Sequence, residues 1–238
     1  LKKQVLYKKE SLLYIQSMAN RAYGQYCGLA RAVEILGERW GLLIIRDLLV
    51  GPKRFTDLER GLPGIPTSVL ASRLKELEGS GVVRRRVLPR PDGSIVYELT
   101  EYGSELEDVV VRFGRWGAKS LGDPRRDEIV TTDSMVMALR STFRAQAARG
   151  VQAGYELRLG EIVVSARVAN GQVAVAAGPL PAADLVIEAG PGIKGLIAGE
   201  ISADDAIEQG VVRITGEPEL LTQFARMFHI DPMPAPKN

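Results

Sequence analysis

Along the first half of the chain, apolar positions repeat at helical spacing in four short blocks before the period changes. Leu29, Ala32, Val33 and Leu36 mark a helix over Gly28–Leu36, ended by Gly37. A second helix is predicted over about Trp40–Val50, stopped by Gly51-Pro52, and a short third over Arg54–Arg60 with Phe55 and Leu58 inward. No helix could cross Gly61-Leu62-Pro63-Gly64-Ile65-Pro66. Thr67 is then expected to cap a fourth helix ending at Gly79, with Leu70, Leu74 and Leu77 as its inward face. Two β-prone runs follow, Val82–Leu88 and Ile95–Leu99, and Asp92-Gly93 between them is a hairpin signal. A long helix is predicted from Glu101 to about Leu121, with Leu106, Val109, Val110, Phe113 and Trp116 on one side.

The charged, proline-bearing stretch 122–133 reads as a linker. Beyond it, a helix over Ser134–Arg149 is expected to turn Met135, Leu139 and Phe143 inward, after which the texture becomes β-rich. Strands are predicted at Tyr155–Leu159, Ile162–Val168, Val173–Ala177, Leu185–Glu188 and Val211–Thr215, with Asn170-Gly171 as a hairpin turn. Ser202, with Asp205 three residues on, opens a small helix. Pro218 starts another, whose apolar face is Leu220, Leu221, Phe224 and Phe228. The fold class expected is α+β: helices and a hairpin in residues 18–121, then a mostly antiparallel sheet covered by helices in residues 134–231. Residues 1–17 resemble an expression-tag remnant ahead of a native start at Met18, and residues 232–238 form a Pro-rich tail.

Composition narrows the class. The 238 residues are 45% hydrophobic and 25% charged, an ordinary globular balance. No run approaches the roughly 18 to 20 apolar residues of a membrane span, and no secretory leader is read. With a single cysteine, Cys27, an internal disulfide is excluded; with a single histidine, His229, so are zinc sites built on two. A cytoplasmic soluble protein without a membrane partner is expected. Charge is unevenly placed: residues 18–121 carry a net +3 and residues 122–238 a net −4. The stretch 67–90 holds six basic residues against two acidic ones, a local patch suited to a polyanion.

Short helices, a fourth of about a dozen residues and a two-stranded hairpin are the order of a winged helix-turn-helix, whose second turn helix enters the DNA major groove. With Leu70, Leu74 and Leu77 inward, the 100° step places Ser68, Ser72 and Lys75 outward. Arg90 at the hairpin tip and the run Arg84-Arg85-Arg86 lie where a wing meets phosphates. The candidate DNA-contacting set is Arg54, Thr67, Ser68, Ser72, Lys75, Arg85 and Arg90, and the expected partner is double-stranded DNA.

Many spaced positions agree with one family. Cys27, Ala32, Gly37-Glu38-Arg39-Trp40, Gly51-Pro52-Lys53-Arg54-Phe55, Arg73-Leu74-Lys75-Glu76-Leu77-Glu78 and Tyr97-Glu98-Leu99-Thr100 with Gly103 together resemble the HxlR-type bacterial transcriptional regulators over about residues 26–121. That resemblance implies a winged-helix homodimer on an inverted-repeat operator, often held by the first and last helices of the domain. Gly28 departs from it, since the family commonly has proline there. The C-terminal half is similar to the sterol-carrier-protein-like fold through Asp184-Leu185-Val186-Ile187, Leu196 to Gly199, Val212-Arg213-Ile214-Thr215-Gly216 and Leu220 to Phe228. This implies an apolar tunnel, or a module without a ligand.

The large apolar residues Phe143, Tyr155, Leu196, Phe224, Met227 and Phe228 could line such a gap and hold a small apolar or amphipathic effector, or could simply form core. A lone cysteine is by default a small buried apolar side chain. In several HxlR-type proteins, however, the cysteine at this place is a redox sensor, and Arg31 one turn on would favour a Cys27 thiolate. Gly190-Pro191-Gly192-Ile193-Lys194-Gly195 formally fits a dinucleotide-binding pattern but lacks the surrounding βαβ unit and the later acidic residue, so a loop is expected. His229 reads as a core-edge or surface residue. No catalytic residue, metal ligand or cofactor is expected. The function expected is a dimeric DNA-binding transcriptional regulator with a ligand-sensing or oligomerisation domain. The rival is a lipid carrier or enzyme whose N-terminal half only targets it, and the lack of acid–base residues in 134–230 speaks against the enzyme.

Overall fold

The computed structural model describes residues 22–37, 39–122, 124–190 and 192–233, so the expected tag remnant at 1–17 and the end of the Pro-rich tail lie outside the described residues. It divides into two compact units between Glu107 and Asp108.

In the first unit, α1 (Gly28–Leu36), α2 (Gly41–Leu48), α3 (Phe55–Gly61) and α4 (Thr67–Gly79) precede the hairpin strands β1 (Val83–Val87) and β2 (Ile95–Leu99) and the single turn α5 (Glu101–Ser104). Ile44, Ile45, Leu58, Leu62, Leu70, Leu74, Leu77 and Val82 are almost wholly buried and form the core. At about 1.5–3 kcal/mol per fully buried apolar side chain, this cluster is what seats α4. The hairpin pairs Val83 with Leu99 through Val87 with Ile95. Lys53 and Tyr97 exchange backbone N–H···O bonds of 2.9 and 2.7 Å, which ties the entry to α3 onto the hairpin.

Two features differ from the sequence expectation. The buried face of α1 is Ala30, Glu34 and Leu36, while Leu29 and Val33 point to solvent. The Glu34 carboxylate can be buried there because it accepts the Tyr23 N–H at 2.8 Å and pairs with Arg31 at 2.7 Å. The predicted helix Glu101–Leu121 is broken after Ser104, and α6 runs over Glu107–Ala118. Gly103 lies so close to Val82 that a Cβ would stand 2.1 Å from its carbonyl oxygen. The chain there tightens to a Leu106 N–H bond onto Gly103 O at 3.2 Å before helix resumes.

The second unit opens with the rest of α6. No helix or strand occurs among the described residues between 122 and 130. α7 (Thr132–Thr142) then starts with a reciprocal cap: Thr131 Oγ1 accepts the Ser134 N–H at 3.1 Å, and Ser134 Oγ accepts the Thr131 N–H at 2.9 Å. The helix ends seven residues before the expected Arg149. Phe143 is extended and bridges Phe228, Arg144 N–H donates to Met227 O at 2.7 Å, and His229 N–H donates to Thr142 O at 3.0 Å. Pairing with the C-terminal segment therefore overrides the helical spacing of 143–149.

The five strands β3 (Gln152–Leu159), β4 (Ile162–Ala169), β5 (Gln172–Ala177), β6 (Leu185–Ala189) and β7 (Val212–Gly216) form one sheet in the order β5-β4-β3-β6-β7. Only β3 and β6 run parallel, so the sheet is mostly antiparallel. Asn170 and Gly171 both have positive φ, 53° and 74°, as the two-residue turn between β4 and β5 requires. Helices α8 (Ile193–Ile197), α9 (Ala203–Glu208) and α10 (Pro218–Met227) complete the unit. One sheet face buries Tyr155, Leu157, Val164, Ala166, Leu185 and Ile187. The other carries a row of alternating charge across β3, β6 and β7: Arg158 pairs with Glu156 at 2.6 Å and with Glu188 at 3.5 Å, and Arg213 with Glu188 at 3.3 Å.

Candidate functional site

The helix-turn-helix pair is α3 and α4. Leu70, Leu74 and Leu77 anchor α4 in the core, which leaves Ser68, Ser72 and Lys75 exposed. Pro66 rather than Thr67 occupies the N-cap position, with φ −66°, so Thr67 is the first helical residue and its hydroxyl donates to Glu59 Oε1 at 2.6 Å. The first turn of α4 contains no acidic residue of its own, and the carboxylate beside it is that of Glu59 on Thr67. Ser72 donates to Glu76 Oε1 at 3.3 Å, and Glu76 also pairs with Arg73. The outward face is thus short side chains around one cation.

The wing is less cationic than its composition suggests. Strand alternation turns Arg84 and Arg86 to one side, where Glu98 accepts from both at 2.9 and 2.7 Å. Hydrogen bonds from Arg86 and then Arg84 hold the Glu98 carboxyl below its usual range against the opposing effect of its burial. Arg85 faces the other way, its guanidinium 5.9 Å from the Tyr97 ring. Arg54 reaches the wing tip and is pinned by both carboxylate oxygens of Asp92, at 3.0 and 2.8 Å. Lys75, Arg85 and Arg90 are exposed and form no ion pair among the described residues. Of the seven expected DNA-facing residues, all lie at the surface of this unit, but Arg54 and Thr67 are held by carboxylates. Sequence reading missed Glu98 and Asp92 as the groups that set which arginines are available. The hairpin register, which places Glu98 opposite Arg84, was the signal for the first.

Cys27 is exposed at the start of α1, which corrects the expectation of a buried apolar cysteine. Its thiol is held below the usual range by the backbone N–H groups of Ala30 and Leu29. Arg31, the cation expected to act on it, is engaged by Glu34 instead.

In the second unit, the expected pocket lining is packed together. Phe143 and Phe228 rings lie 5.5 Å apart, Phe224 and Phe228 4.5 Å, and Tyr155 and Phe224 5.4 Å, all buried, as are Met227 and Leu196. Burial, with the Asp184 charge adding to it, pushes the Tyr155 phenol up to about 12. These aromatics close the gap they were expected to line, because each ring finds another ring at contact distance. Of the six, Leu196 alone borders a depression among α8, α9 and α10. Of the glycine-rich segment 190–195, Gly192 is the N-cap of the five-residue α8 and Ile193, Lys194 and Gly195 lie within it, while Pro191 is outside the described residues. No group of three metal-ligating side chains occurs among the described residues, and no described helix is long and apolar enough to cross a membrane.

The family described as HxlR-like helix-turn-helix matches residues 35–124, from the end of α1 through the hairpin and α6. The chain is 42% identical over 89 residues to the uncharacterized HTH-type transcriptional regulator YvaP of Bacillus subtilis (strain 168), covering 37% of this chain and 82% of that one. This chain belongs to the HxlR-like helix-turn-helix family. A second relative, the HTH-type transcriptional regulator YodB of the same strain, is 44% identical over 85 residues, covering 36% of this chain and 76% of that one. The solved reduced form of YodB is 37% identical, covers 42% of this chain and all of its own, and superposes with a TM-score of 0.37. Within this HxlR-like chain, the matched stretch is the one that carries Ser68, Ser72, Lys75, Arg85 and Arg90.

Proposed function

We propose that this HxlR-like protein is a transcriptional regulator that binds double-stranded DNA as a homodimer on an inverted repeat, inserting α4 into the major groove. The observation that carries the reading is the outward face of α4, where Ser68, Ser72 and Lys75 stand clear of a helix seated by three buried leucines. Short side chains let the backbone approach the base edges, and Lys75 is placed to meet guanine or phosphate. Arg90 and Arg85 on the wing supply further phosphate contacts. Dimerisation is supported by two exposed apolar stripes that an isolated chain would leave wet: Leu29 with Val33 on α1, and Val109, Phe113 and Trp116 on α6. The Phe113 and Trp116 rings stack at 5.8 Å without becoming buried, Trp116 remaining 70% exposed.

The second unit, with its mostly antiparallel sheet and flanking helices, fits the sterol-carrier-like arrangement and serves as the sensing or oligomerising part of the regulator. The exposed, acidified Cys27 is the candidate thiol for a redox response, which Cys27→Ser would abolish in DNA release by a mild oxidant. Selection of bound duplexes from a random pool tests the main reading. An enriched inverted repeat with half-sites about one helical turn apart, 10–10.5 base pairs or a multiple, supports it. Recovery of no common sequence, with binding equally weak to every duplex, would contradict it.

A further inference from the structure

The depression among α8, α9 and α10 has a volume of about 400 Å³, within the size range of small-molecule sites. Leu196, Ile201 and Ala225 give it apolar wall, while Arg144, Arg226 and His229 give it polar groups. No carboxylate belongs to its lining. Arg144 is paired with Asp231, and exposed Arg226 makes no ion pair among the described residues. Beneath it, the aromatic core is closed, so a ligand would lie along the surface of α10 rather than penetrate to the sheet.

We infer that this depression binds a monoanionic amphipath, a carboxylate head on a short apolar body, and that its occupancy bears on α6 through residues 142–144. The inference rests on the sensing role proposed for this unit and names its ligand class. Charge complementarity selects the head: the Arg226 guanidinium at the edge of an apolar wall is uncompensated, with the Asp231-paired Arg144 beside it, and favours a carboxylate over a neutral or cationic group. Burial, and then the Arg144 charge, push the His229 imidazole below its usual range against the pull of Asp231, so the ring contributes a polar edge and the guanidinium groups supply the charge. The link to α6 runs through the backbone of residues 141–144. An incoming carboxylate competes with Asp231 for Arg144, whose own N–H is bonded to Met227 O. One residue earlier, Phe143 O accepts Arg115 Nη2 of α6 at 2.9 Å, and Ser141 O accepts Arg115 Nε at 2.7 Å. Gly114 lets the two helices approach, since a Cβ there would stand 2.7 Å from Ser141 Oγ. A ligand that changes the 142–144 segment thereby changes the seat of the helix that exposes Phe113 and Trp116.

Calorimetric titration of the full chain with octanoate and with octylammonium tests the site. The expected result is one octanoate per chain, no binding of octylammonium, about tenfold weaker octanoate binding in Arg226→Gln, and loss of binding in Ala225→Leu, which fills the groove. Equal binding of the two amphipaths, or wild-type octanoate affinity in both variants, would overturn the site. The coupling is read as DNA affinity with and without saturating octanoate: a change of at least about threefold in the wild type, absent in Arg115→Ala that still binds octanoate, is expected. DNA affinity unmoved by octanoate in the wild type would overturn the coupling. Were no DNA bound at all, the regulator reading would fail, while the titration would still decide the site.

Discussion

Removing the Lys75 ammonium takes away the one cation on the exposed face of α4, while its neighbours Ser68 and Ser72 stay in place. If it reads guanine, Lys75→Ala should lose about 1–3 kcal/mol of discrimination at one base pair of each half-site. Arg90→Ala at the wing tip should instead weaken binding to all sequences alike and reduce the slope of log affinity against log salt by about 1. Fluorescence anisotropy on matched and single-mismatch duplexes separates the two outcomes. Buried Glu156 makes a stability statement of the same kind. Its carboxyl is held below its ordinary 4.5 first by the Leu180 N–H and then by Arg158, while burial opposes them. A carboxylate with a depressed folded pKa contributes stability above its unfolded value and loses it as pH falls through the folded one. Glu156→Gln should therefore cost about 1–3 kcal/mol at neutral pH and flatten the loss of stability below pH 4.5, as urea melts at stepped pH would show.

At the scale of elements, the wing and α6 make opposite demands. Glu98 ties up Arg84 and Arg86, so the hairpin presents fewer available cations than its three consecutive arginines suggest. Glu98→Gln should release both and steepen the salt dependence of DNA binding; an unchanged slope would mean that the wing does not approach phosphate. In α6, Phe113→Glu or Trp116→Glu should shift the chain from dimer towards monomer in sedimentation velocity, because each places a charge in the exposed apolar stripe. Helical spacing made α4 readable in advance, since Leu70, Leu74 and Leu77 face a core built from the same short stretch of chain. For α1 the same spacing found a stripe without showing which side of it is buried. Leu29 and Val33 are apolar yet exposed, and Glu34 is buried through partners on Tyr23 and Arg31 that periodicity cannot reveal. Phe143 failed for a related reason, as its helical pattern yields to a strand-like bridge with a residue more than eighty positions away.

At the scale of the molecule, two compact units divide the work: the first carries the helix-turn-helix, and the second carries the sheet, the depression and most of α6. Cations for DNA were legible in the sequence as a local excess over 67–90, but their availability was not, because it depends on which carboxylate the fold brings to each guanidinium. The aromatic residues of the second unit were legible as large and apolar, and only the ring-to-ring distances show that they fill space instead of enclosing it. DNA binding by a dimer through α4 is the claim on which the rest depends, and the salt dependence of wild-type affinity for the selected inverted repeat tests it most directly. Two chains per duplex, with affinity falling steeply as salt rises and far exceeding that for a scrambled duplex, are predicted. A flat salt dependence, with the repeat and the scrambled duplex bound alike, would contradict it.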